Sequence, residues 1–216
     1  MRTLIIAGGK FEYKFAVSFL EKNKYDYVIA VDRGIEYARK LSLKPDMWVG
    51  DFDSIRGDGY VNEYSDMLIE KHRPEKAETD TELAVNRAIA MGAHYDILCG
   101  TGGRLDHFFS IVHNLKLGLD GGVQGRILDP ANVIYLKGES FEIRKEDCFG
   151  KYISFVPFGG EVRNLKLKGF KYTLDGYNLK PGVSRCISNE MAEDKAYISF
   201  DSGYLLVINS LDVESE

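Results

Sequence analysis

Short apolar segments alternate with stretches of helical amphipathic pattern through the first 126 residues, and this alternation restricts the fold more than any other feature of the chain. Five segments have the length and the apolar character of buried strands: residues 4–7, 27–31, 47–49, 67–69 and 95–99. Strands that are separated by helices pair in parallel, because a helical crossover returns the chain to the same end of the sheet. The sequence therefore predicts an α/β domain with a parallel sheet over residues 1–126.

Two helices of this domain are marked by their ends. Thr79 and Glu82 form the Thr-x-x-Glu capping box of a helix that ends before Gly92. A second helix follows His107 and stops before Gly118. A histidine that opens a helix is more often a capping or packing residue than a ligand.

The pattern changes after residue 126, where no stretch sustains a helical period. Short alternating runs follow one another between glycines and prolines, at residues 141–144, 152–156, 165–168, 196–200 and 204–208. This pattern is typical of antiparallel sheets. We therefore predict an all-β sandwich or barrel domain over residues 127–216, and a length of 216 residues accommodates both domains.

Composition excludes several function classes. The net charge of −5 provides no general attraction to nucleic acid or to anionic lipid, so we expect neither as a partner. The first apolar run ends at Gly8, far short of the ~20 residues of a membrane span, and no signal-peptide pattern precedes it. The three cysteines are widely spaced and odd in number, which indicates free thiols in a reducing compartment. We therefore expect a cytoplasmic protein.

The residues after the predicted strands are acidic and rich in glycine. In an open parallel sheet this is where ligands bind. The segments concerned are Gly8-Gly9-Lys10, Asp32-Arg33-Gly34, Gly50-Asp51-Phe52-Asp53-Ser54 and Gly100-Thr101-Gly102-Gly103-Arg104-Leu105-Asp106-His107, with Thr79-Asp80 at a helix N-terminus. Each has a structural explanation when it is taken alone, as a turn or a helix cap.

Taken together, these segments bring several carboxylates to one edge of a sheet, where their mutual repulsion calls for a cation. Oxygen ligands favour Mg²⁺, which binds through one or two carboxylates and substrate phosphates. Glycine-rich turns and helix N-termini hold phosphates, helped by nearby cations such as Lys10, Arg33, Lys76 or Arg104. Neither the GxxxxGK[ST] motif nor GxGxxG is present. The residues predict a magnesium-dependent phosphoryl or diphosphoryl transferase.

The motifs, in their order along the chain, resemble those of the thiamine pyrophosphokinase family. Gly50-Asp51-Phe52-Asp53-Ser54 matches its GDFDS, Thr79-Asp80 with Glu82-Leu83-Ala84 its TD-x-ELA, and Gly102 to His107 its GGRLDH. Gly182-Val183-Ser184 and Ile187-Ser188-Asn189-Glu190 match its G-x-S-x-x-ISNE. The matches span both predicted domains.

The resemblance implies that the first domain binds ATP and Mg²⁺, that the second binds thiamine, and that diphosphate transfer gives thiamine diphosphate and AMP. By resemblance, Asp51, Asp53 and Asp80 surround the metal and act in catalysis together with Arg104. The expected thiamine residues are Ser184, Ser188 and Asn189. The expected ATP-binding residues are Gly9, Lys10, Asp32, Arg33, Thr79, Gly102, Gly103, Arg104, Asp106 and His107. The resemblance also implies a homodimer whose active sites are shared between chains.

Three points stay open at this stage. The proton acceptor is Asp51, Asp80 or a metal-bound water. Animal and fungal members cover thiamine with a Trp of the final strand, whereas this chain has Leu206 at that place and carries a single Trp, Trp48. Two other functions are considered: a phosphatase of the haloacid dehalogenase class with an Asp-x-Asp nucleophile, and a non-enzymatic protein that binds a small ligand.

Overall fold

The computed structural model describes residues 1–50, 67–71 and 77–212. Contacts divide the chain into two compact units, Met1–Asp129 and Pro130–Glu216. No helix of these described segments combines the length and the apolar character needed to cross a membrane. None of the three cysteines forms a disulfide.

The described part of the first unit holds six strands and four helices. The strands are β1 (Arg2–Ile6), β2 (Tyr27–Val31), β3 (Met47–Gly50), β4 (Leu68–Lys71), β5 (His94–Leu98) and β6 (Gly125–Leu128). The helices are α1 (Tyr13–Lys22), α2 (Gly34–Lys40), α3 (Asp80–Ala90) and α4 (Leu105–Asp120). The strand order is β4-β3-β2-β1-β5-β6, and every pairing within it is parallel. The five predicted strands and their parallel arrangement are confirmed.

The central strands are apolar along their whole length because both faces of the sheet are covered. Leu4, Ile5, Ile6, Ile29 and Ile97 have no exposed surface. Continuous apolar runs of this kind are characteristic of parallel strands between helix layers.

Helix α4 is longer than the sequence analysis predicts. It begins at Leu105, two residues before His107, and continues through Gly118 to Asp120. Gly118 is inside the helix because a Cβ there would lie 2.5 Å from the hydroxyl oxygen of the buried Tyr95, which donates a hydrogen bond to the Asn114 carbonyl oxygen (3.1 Å). The glycine thus makes room for the ring, and the prediction that it follows the helix is wrong.

A buried ion network joins three strands of the same unit. The Asp96 carboxylate, 4% exposed, accepts two hydrogen bonds from Arg126 (2.6 and 2.7 Å), one from Arg2 (2.9 Å) and one from the Tyr25 hydroxyl (2.6 Å). Burial alone would raise the pKa of Asp96, but the hydrogen bonds and charge of Arg126, with those from Tyr25 and Arg2, outweigh it and lower the pKa. Both oxygens of the carboxylate therefore accept hydrogen bonds, and two arginines balance its buried charge.

The described part of the second unit is built from antiparallel strands. They are β7 (Asn132–Lys137), β8 (Phe141–Arg144), β9 (Tyr152–Lys168), β10 (Leu174–Leu179), β11 (Asn189–Glu190), β12 (Lys195–Ser199) and β13 (Ser202–Ser210), with a 3₁₀ turn at Lys145–Asp147. Along β9 the partner changes, from β13 and β11 near its start to β10 and β12 near its end. Strand β13 also pairs with β7, and β12 with β8.

Strand β9 covers a segment in which the sequence analysis predicts two separate strands. The runs at 152–156 and 165–168 are one strand of 17 residues, although Pro157 and two glycines lie between them. Gly159, with φ of +69°, allows the backbone to bend where the pairing changes. Side chains of β9, β12 and β13, among them Phe155, Leu167, Ile198 and Val207, pack into one core.

Candidate active site

A cavity of about 880 Å³ opens at the carboxyl edge of the first unit's sheet. Its walls come from the segments after β1, β2 and β5 and from the first turns of α3 and α4. The chain passes from β1 to β2, β3 and β4 on one side, whereas β5 lies on the other side of β1. The β1–β5 boundary is thus the point where the strand order reverses, which is where open α/β sheets bind their ligands.

The turn after β1 forms one wall of this cavity through a close contact with the loop after β5. The amide of Gly9 donates to the Cys99 carbonyl oxygen (2.7 Å), and that of Lys10 donates to the Thr101 carbonyl oxygen (2.8 Å). A Cβ at Gly9 would lie 2.6 Å from the Thr101 oxygen and closer still to that of Cys99. Gly9 is therefore required by the approach of two loops, and its amide is already bonded within the protein rather than directed at a phosphate.

Lys10 lies beside the cavity but not in its wall. Its ammonium group pairs with Glu12 (Nζ–Oε1 2.7 Å), and the hydrogen bond and the charge of Glu12 raise the pKa of Lys10. Gly102, with φ of +74°, packs against the Lys10 side chain, where a Cβ would lie 2.5 Å from the Lys10 Cβ. Both predicted ATP-binding residues thus belong to the junction of the two loops.

Asp32 and Arg33, which the sequence analysis expects to bind ATP, follow β2 and line the cavity. Asp32 has a positive φ of +48°, its amide donates to the Val49 carbonyl oxygen (2.9 Å), and its own carbonyl oxygen accepts from the Trp48 indole (3.1 Å). A non-glycine residue in this left-handed conformation persists only where its surroundings hold it there. The strand end therefore fixes the backbone from which the Asp32 carboxylate projects.

The first turn of α3 supplies an acidic residue to the same cavity. Thr79 caps this helix, because its hydroxyl oxygen accepts from the Glu82 amide (3.2 Å), which confirms half of the predicted capping box. Asp80, at the first helical position, lines the cavity, and so does Thr81, which the sequence analysis did not select. Thr79 itself does not line the cavity, and its contact in the structure is the cap of α3.

The first turn of α4 contributes a cation. Gly103, Arg104 and His107 line the cavity. The Arg104 guanidinium binds Asp106 through two hydrogen bonds (Nε–Oδ1 3.1 Å, Nη2–Oδ2 2.5 Å), and the His107 amide donates to the same carboxylate (3.0 Å). The hydrogen bond from Arg104 is the main reason why the pKa of Asp106 falls to about 2. Asp106 therefore stays ionised and orients Arg104 at the cavity mouth.

The metal site stays a prediction. Asp51 and Asp53 lie outside the described residues. Within the described segments no three acidic, histidine or cysteine side chains come together as a metal site, but Asp32 and Asp80 line one cavity. Two carboxylates with room for phosphate oxygens and waters are the donor set that Mg²⁺ accepts, so these residues fit that ion.

Cys99 also lines the cavity and is 8% exposed. Burial raises the pKa of its thiol to about 12. The thiol is therefore neutral at physiological pH and packs as a small apolar group, as the sequence analysis predicts.

The predicted thiamine residues lie in the second unit and differ in burial. Ser184 and Ser188 are exposed, whereas Asn189 is 2% exposed and lines a separate cavity of about 390 Å³. Ser188 has a positive φ of +56° and donates its amide to the Ser154 hydroxyl oxygen (2.9 Å). Leu206, in β13, is 9% exposed and is paired with Leu136 and Val156 in neighbouring strands.

Comparison with known proteins gives a consistent result over both units. Residues 20–120 match the family model described as the thiamin pyrophosphokinase catalytic domain, and residues 140–205 match the one described as its vitamin B1 binding domain. A curated thiamine pyrophosphokinase of Bacillus subtilis is 34% identical over 194 residues, covering 85% of this chain and 87% of the relative.

Solved structures extend the similarity to the fold. A thiamine pyrophosphokinase from Bacillus subtilis has a TM-score of 0.87 at 28% identity, covering 99% of this chain and 100% of that chain. One from Geobacillus thermodenitrificans has a TM-score of 0.86 at 29% identity, with 99% of each chain covered. The yeast enzyme is similar in fold alone, with a TM-score of 0.78 at 14% identity over 97% of this chain and 86% of that chain.

Proposed function

The chain belongs to the thiamine pyrophosphokinase family and forms thiamine diphosphate, and we propose that it takes the diphosphate from ATP with the help of Mg²⁺. The observation that carries the proposal is the 880 Å³ cavity at the reversal of strand order, which combines Asp32 and Asp80 with Arg33 and Arg104. Carboxylates that suit a metal and cations that suit phosphates then face one volume. The two other functions considered, a phosphatase and a non-enzymatic binding protein, are not retained.

The proposed reaction is an in-line displacement at the β-phosphorus. The hydroxyl oxygen of thiamine forms the new bond to that phosphorus, the bond from the phosphorus to the α,β-bridging oxygen breaks, and AMP leaves with the electron pair. The hydroxyl proton passes to a carboxylate or to water, and Asp80 and Asp51 remain the two carboxylates proposed. Such a transfer depends on positioning and on stabilising charge, with little covalent work for the protein.

Charge compensation is divided among named residues. Asp80, with Asp51 and Asp53, would hold Mg²⁺, and Asp32 faces the same cavity; the ion when bound neutralises phosphate charge. Arg104, held by its two hydrogen bonds to Asp106, would meet the phosphates at the cavity mouth. Apart from the Glu82 and His107 amides, which bond to Thr79 and Asp106, the first-turn amides of α3 and α4 add partial positive charge at the same edge, because the initial amides of a helix have no intrahelical partner.

The remaining predicted ATP residues take supporting roles in this proposal. Gly9, Lys10 and Gly102 form the loop junction that shapes the cavity wall, and Thr79 caps the helix that presents Asp80. Arg33, Gly103 and His107 line the cavity and are retained as nucleotide contacts. Thiamine is assigned to the second unit, with Ser184, Ser188 and Asn189 as the starting set.

Product analysis tests the proposed donor and the position of attack. Incubation with ATP, Mg²⁺ and thiamine, followed by mass spectrometry, should give AMP and thiamine diphosphate in equal amounts. Chelation of the metal should stop product formation. Formation of ADP with thiamine monophosphate would place the attack at the γ-phosphorus and overturn the mechanism.

The homodimer with shared sites is kept as a proposal, and subunit mixing tests it. An Asp53→Asn chain is defective in phosphate handling, and a Ser188→Tyr chain is blocked at the acceptor site. If each site takes one part from each chain, a mixed dimer contains one intact site, and random exchange restores about a quarter of wild-type activity. If mass measurement shows that the subunits exchanged and no activity returns, each chain builds its own site.

The cytoplasmic location likewise stays a prediction. The free state of Cys99, Cys148 and Cys186 supports a reducing compartment.

A further inference from the structure

Gly50 is the last residue of β3 and lies beside Asp32, which lines the cavity of the first unit. Strands β2 and β3 pair in parallel, and the last pair in their register joins Val31 to Val49. The next residues in this register are Asp32 and Gly50. Gly50 is buried and is not among the described residues that line the cavity. A side chain added at Gly50 would therefore reach the cavity through its neighbour Asp32.

The absence of a side chain at Gly50 leaves room for the Asp32 carboxylate. A Cβ at Gly50 would lie 2.7 Å from Asp32 Oδ1, which is inside the normal contact distance of these atoms. Its next contacts, with the Asp32 Cα (3.4 Å) and amide nitrogen (3.5 Å), are ordinary. Gly50 does not have a positive φ, so its backbone conformation accepts alanine. An alanine here would therefore turn the Asp32 carboxylate and leave the strand in place.

The backbone of Asp32 is held by β3 at the same time. Its amide donates to the Val49 carbonyl oxygen (2.9 Å), and its carbonyl oxygen accepts from the Trp48 indole (3.1 Å). Trp48 is 3% exposed and belongs to a buried cluster with Ala30 and Met67. Because the main chain is fixed in this way, rotation of the side chain is the movement by which Asp32 can make room for an added group.

We propose that Trp48 and Gly50 are positioning residues of the nucleotide site: Trp48 holds the Asp32 backbone, and Gly50 leaves the space in which the Asp32 carboxylate faces the cavity. The proposal rests on the proposed function, since ATP with Mg²⁺ is the ligand of that cavity. The φ of +48° at Asp32 is a conformation that persists only where neighbouring residues hold it. Residues that orient the side chains of a metal site typically affect affinity or activity about 10- to 100-fold when they are changed.

Substitution of Gly50 tests the proposal. In Gly50→Ala we expect the Kd for ATP, measured by calorimetry in excess Mg²⁺ and without thiamine, to rise about 10- to 100-fold. The KM for ATP should rise with it. The KM for thiamine and the melting temperature should stay close to wild-type values, because the close contact of the new Cβ is with the movable end of one side chain. ATP affinity equal to that of wild type would overturn the proposal.

Gly160 provides the matched control. It lies in β9, does not have a positive φ, and a Cβ there would meet no atom within 4 Å. Gly160→Ala thus makes the same chemical change in a strand without displacing a neighbour, and it should leave the Kd for ATP within about twofold of wild type. An equal rise of the Kd in Gly160→Ala and Gly50→Ala would show that the Asp32 carboxylate is not the cause and would overturn the proposal.

A double-mutant cycle shows whether the effect of Gly50→Ala passes through Asp32. Asp32→Gly removes the carboxylate and accepts the left-handed backbone without strain. It should itself weaken ATP binding, and Gly50→Ala should produce no further rise of the Kd in that background, since the group that it displaces is gone. The same fold-increase in both backgrounds would show that Gly50 acts by another route and would overturn the proposal.

Trp48 supplies a second variant for the same cycle. If Gly50→Ala fails to fold, Trp48→Phe, which removes the N–H that the Asp32 carbonyl oxygen accepts, takes its place. Trp48→Phe should raise the Kd for ATP in the wild-type background and leave it unchanged in the Asp32→Gly background. A rise of the Kd by the same factor in both backgrounds would overturn the positioning role.

Failure of this inference is distinguishable from failure of the proposed function. If the wild type binds ATP with Mg²⁺ and forms AMP and thiamine diphosphate while Gly50→Ala binds ATP equally well, the inference alone is overturned. Absence of ATP binding by the wild type would overturn the proposed nucleotide site and the inference with it.

Discussion

Replacing Asp80 by asparagine should lower kcat by on the order of 10²-fold or more while the fold stays intact. Asp80 occupies the first position of α3 and lines the cavity that we assign to ATP, so the change removes charge where the metal and the transferred phosphates require it. The favourable interaction of an acidic first-turn side chain with the helix dipole is weak, so its loss alone does not unfold the domain. Steady-state kinetics at saturating ATP, Mg²⁺ and thiamine measure the effect. We expect losses of the same order for Asp51→Asn and Asp53→Asn.

Glu78 provides the control for this experiment. It precedes the same helix, is exposed and is absent from the cavity lining. Glu78→Gln removes an acidic charge at nearly the same place in the sequence and should leave kcat within about twofold of wild type. Wild-type turnover of Asp80→Asn, or an equal loss in both variants, would remove Asp80 from the proposed site.

The largest stability change is expected at Asp96. Asp96→Asn keeps the shape of the side chain but leaves Arg126 and Arg2 without their buried counter-charge. Removing one partner of a buried ion pair lowers the free energy of unfolding by about 3–5 kcal/mol. The loss here should lie near ~3 kcal/mol because the side chains of Arg126 and Arg2 are 35% and 40% exposed. Trp48, the single Trp of the chain, is buried in the same unit, so its fluorescence follows the relevant unfolding transition in urea.

The exposed pair of Lys116 and Asp120, spaced four residues apart on α4, gives the comparison. Asp120→Asn should cost no more than about 0.5 kcal/mol, since such helix pairs contribute little in water. If Asp96→Asn is no more destabilising than Asp120→Asn, the buried Asp96 network contributes no more to stability than an exposed ion pair does.

The pH dependence of the Asp96 network follows from the direction of its pKa. Folding lowers the pKa of Asp96, so the unfolded chain binds its proton first as the pH falls. The stabilisation is therefore fully present at neutral pH, and it declines below the ordinary pKa of an aspartate until the lowered pKa has been passed. Wild type should lose more stability than Asp96→Asn between about pH 5 and the acid limit of folding.

Local patterns in the sequence predict many elements of the first unit because each pattern is formed by residues that lie close together in the chain. An apolar run marks each of the five predicted strands, and Thr79 with Glu82 marks the start of α3. The acidic and glycine-rich residues after these strands come together because parallel strands place their carboxyl ends on one edge. Asp32, Arg33, Asp80 and Arg104 accordingly share a cavity.

Features that depend on distant contacts could not be predicted in this way. Gly118 resembles a helix end, and only the position of the Tyr95 ring explains why the helix continues. The single strand β9 crosses a proline and two glycines because different partners hold its two ends. The sequence predicts Gly9 and Lys10 as ATP-binding residues, but it does not reveal that their amides bond to the loop after β5.

Asn189, which we propose lies at the acceptor site, illustrates the same limit. Its motif selects the residue, but the sequence does not reveal that its amide bonds to Tyr172, 17 residues earlier in the chain. Tyr172 itself carries no motif signal that the sequence analysis used. The hydrogen bonds show that the buried Asn189 side chain holds the Tyr172 backbone on both sides.

Methylene analogues of ATP test the position of attack most directly, because each blocks one bridging bond of the triphosphate. With β,γ-methylene-ATP, Mg²⁺ and thiamine, our account predicts AMP and thiamine carrying the methylene diphosphonate group, since the α,β bridge remains cleavable. With α,β-methylene-ATP it predicts no transfer, only competitive inhibition against ATP. The reverse pattern, with no product from the β,γ analogue and thiamine monophosphate from the α,β analogue, would contradict transfer of a diphosphate from ATP.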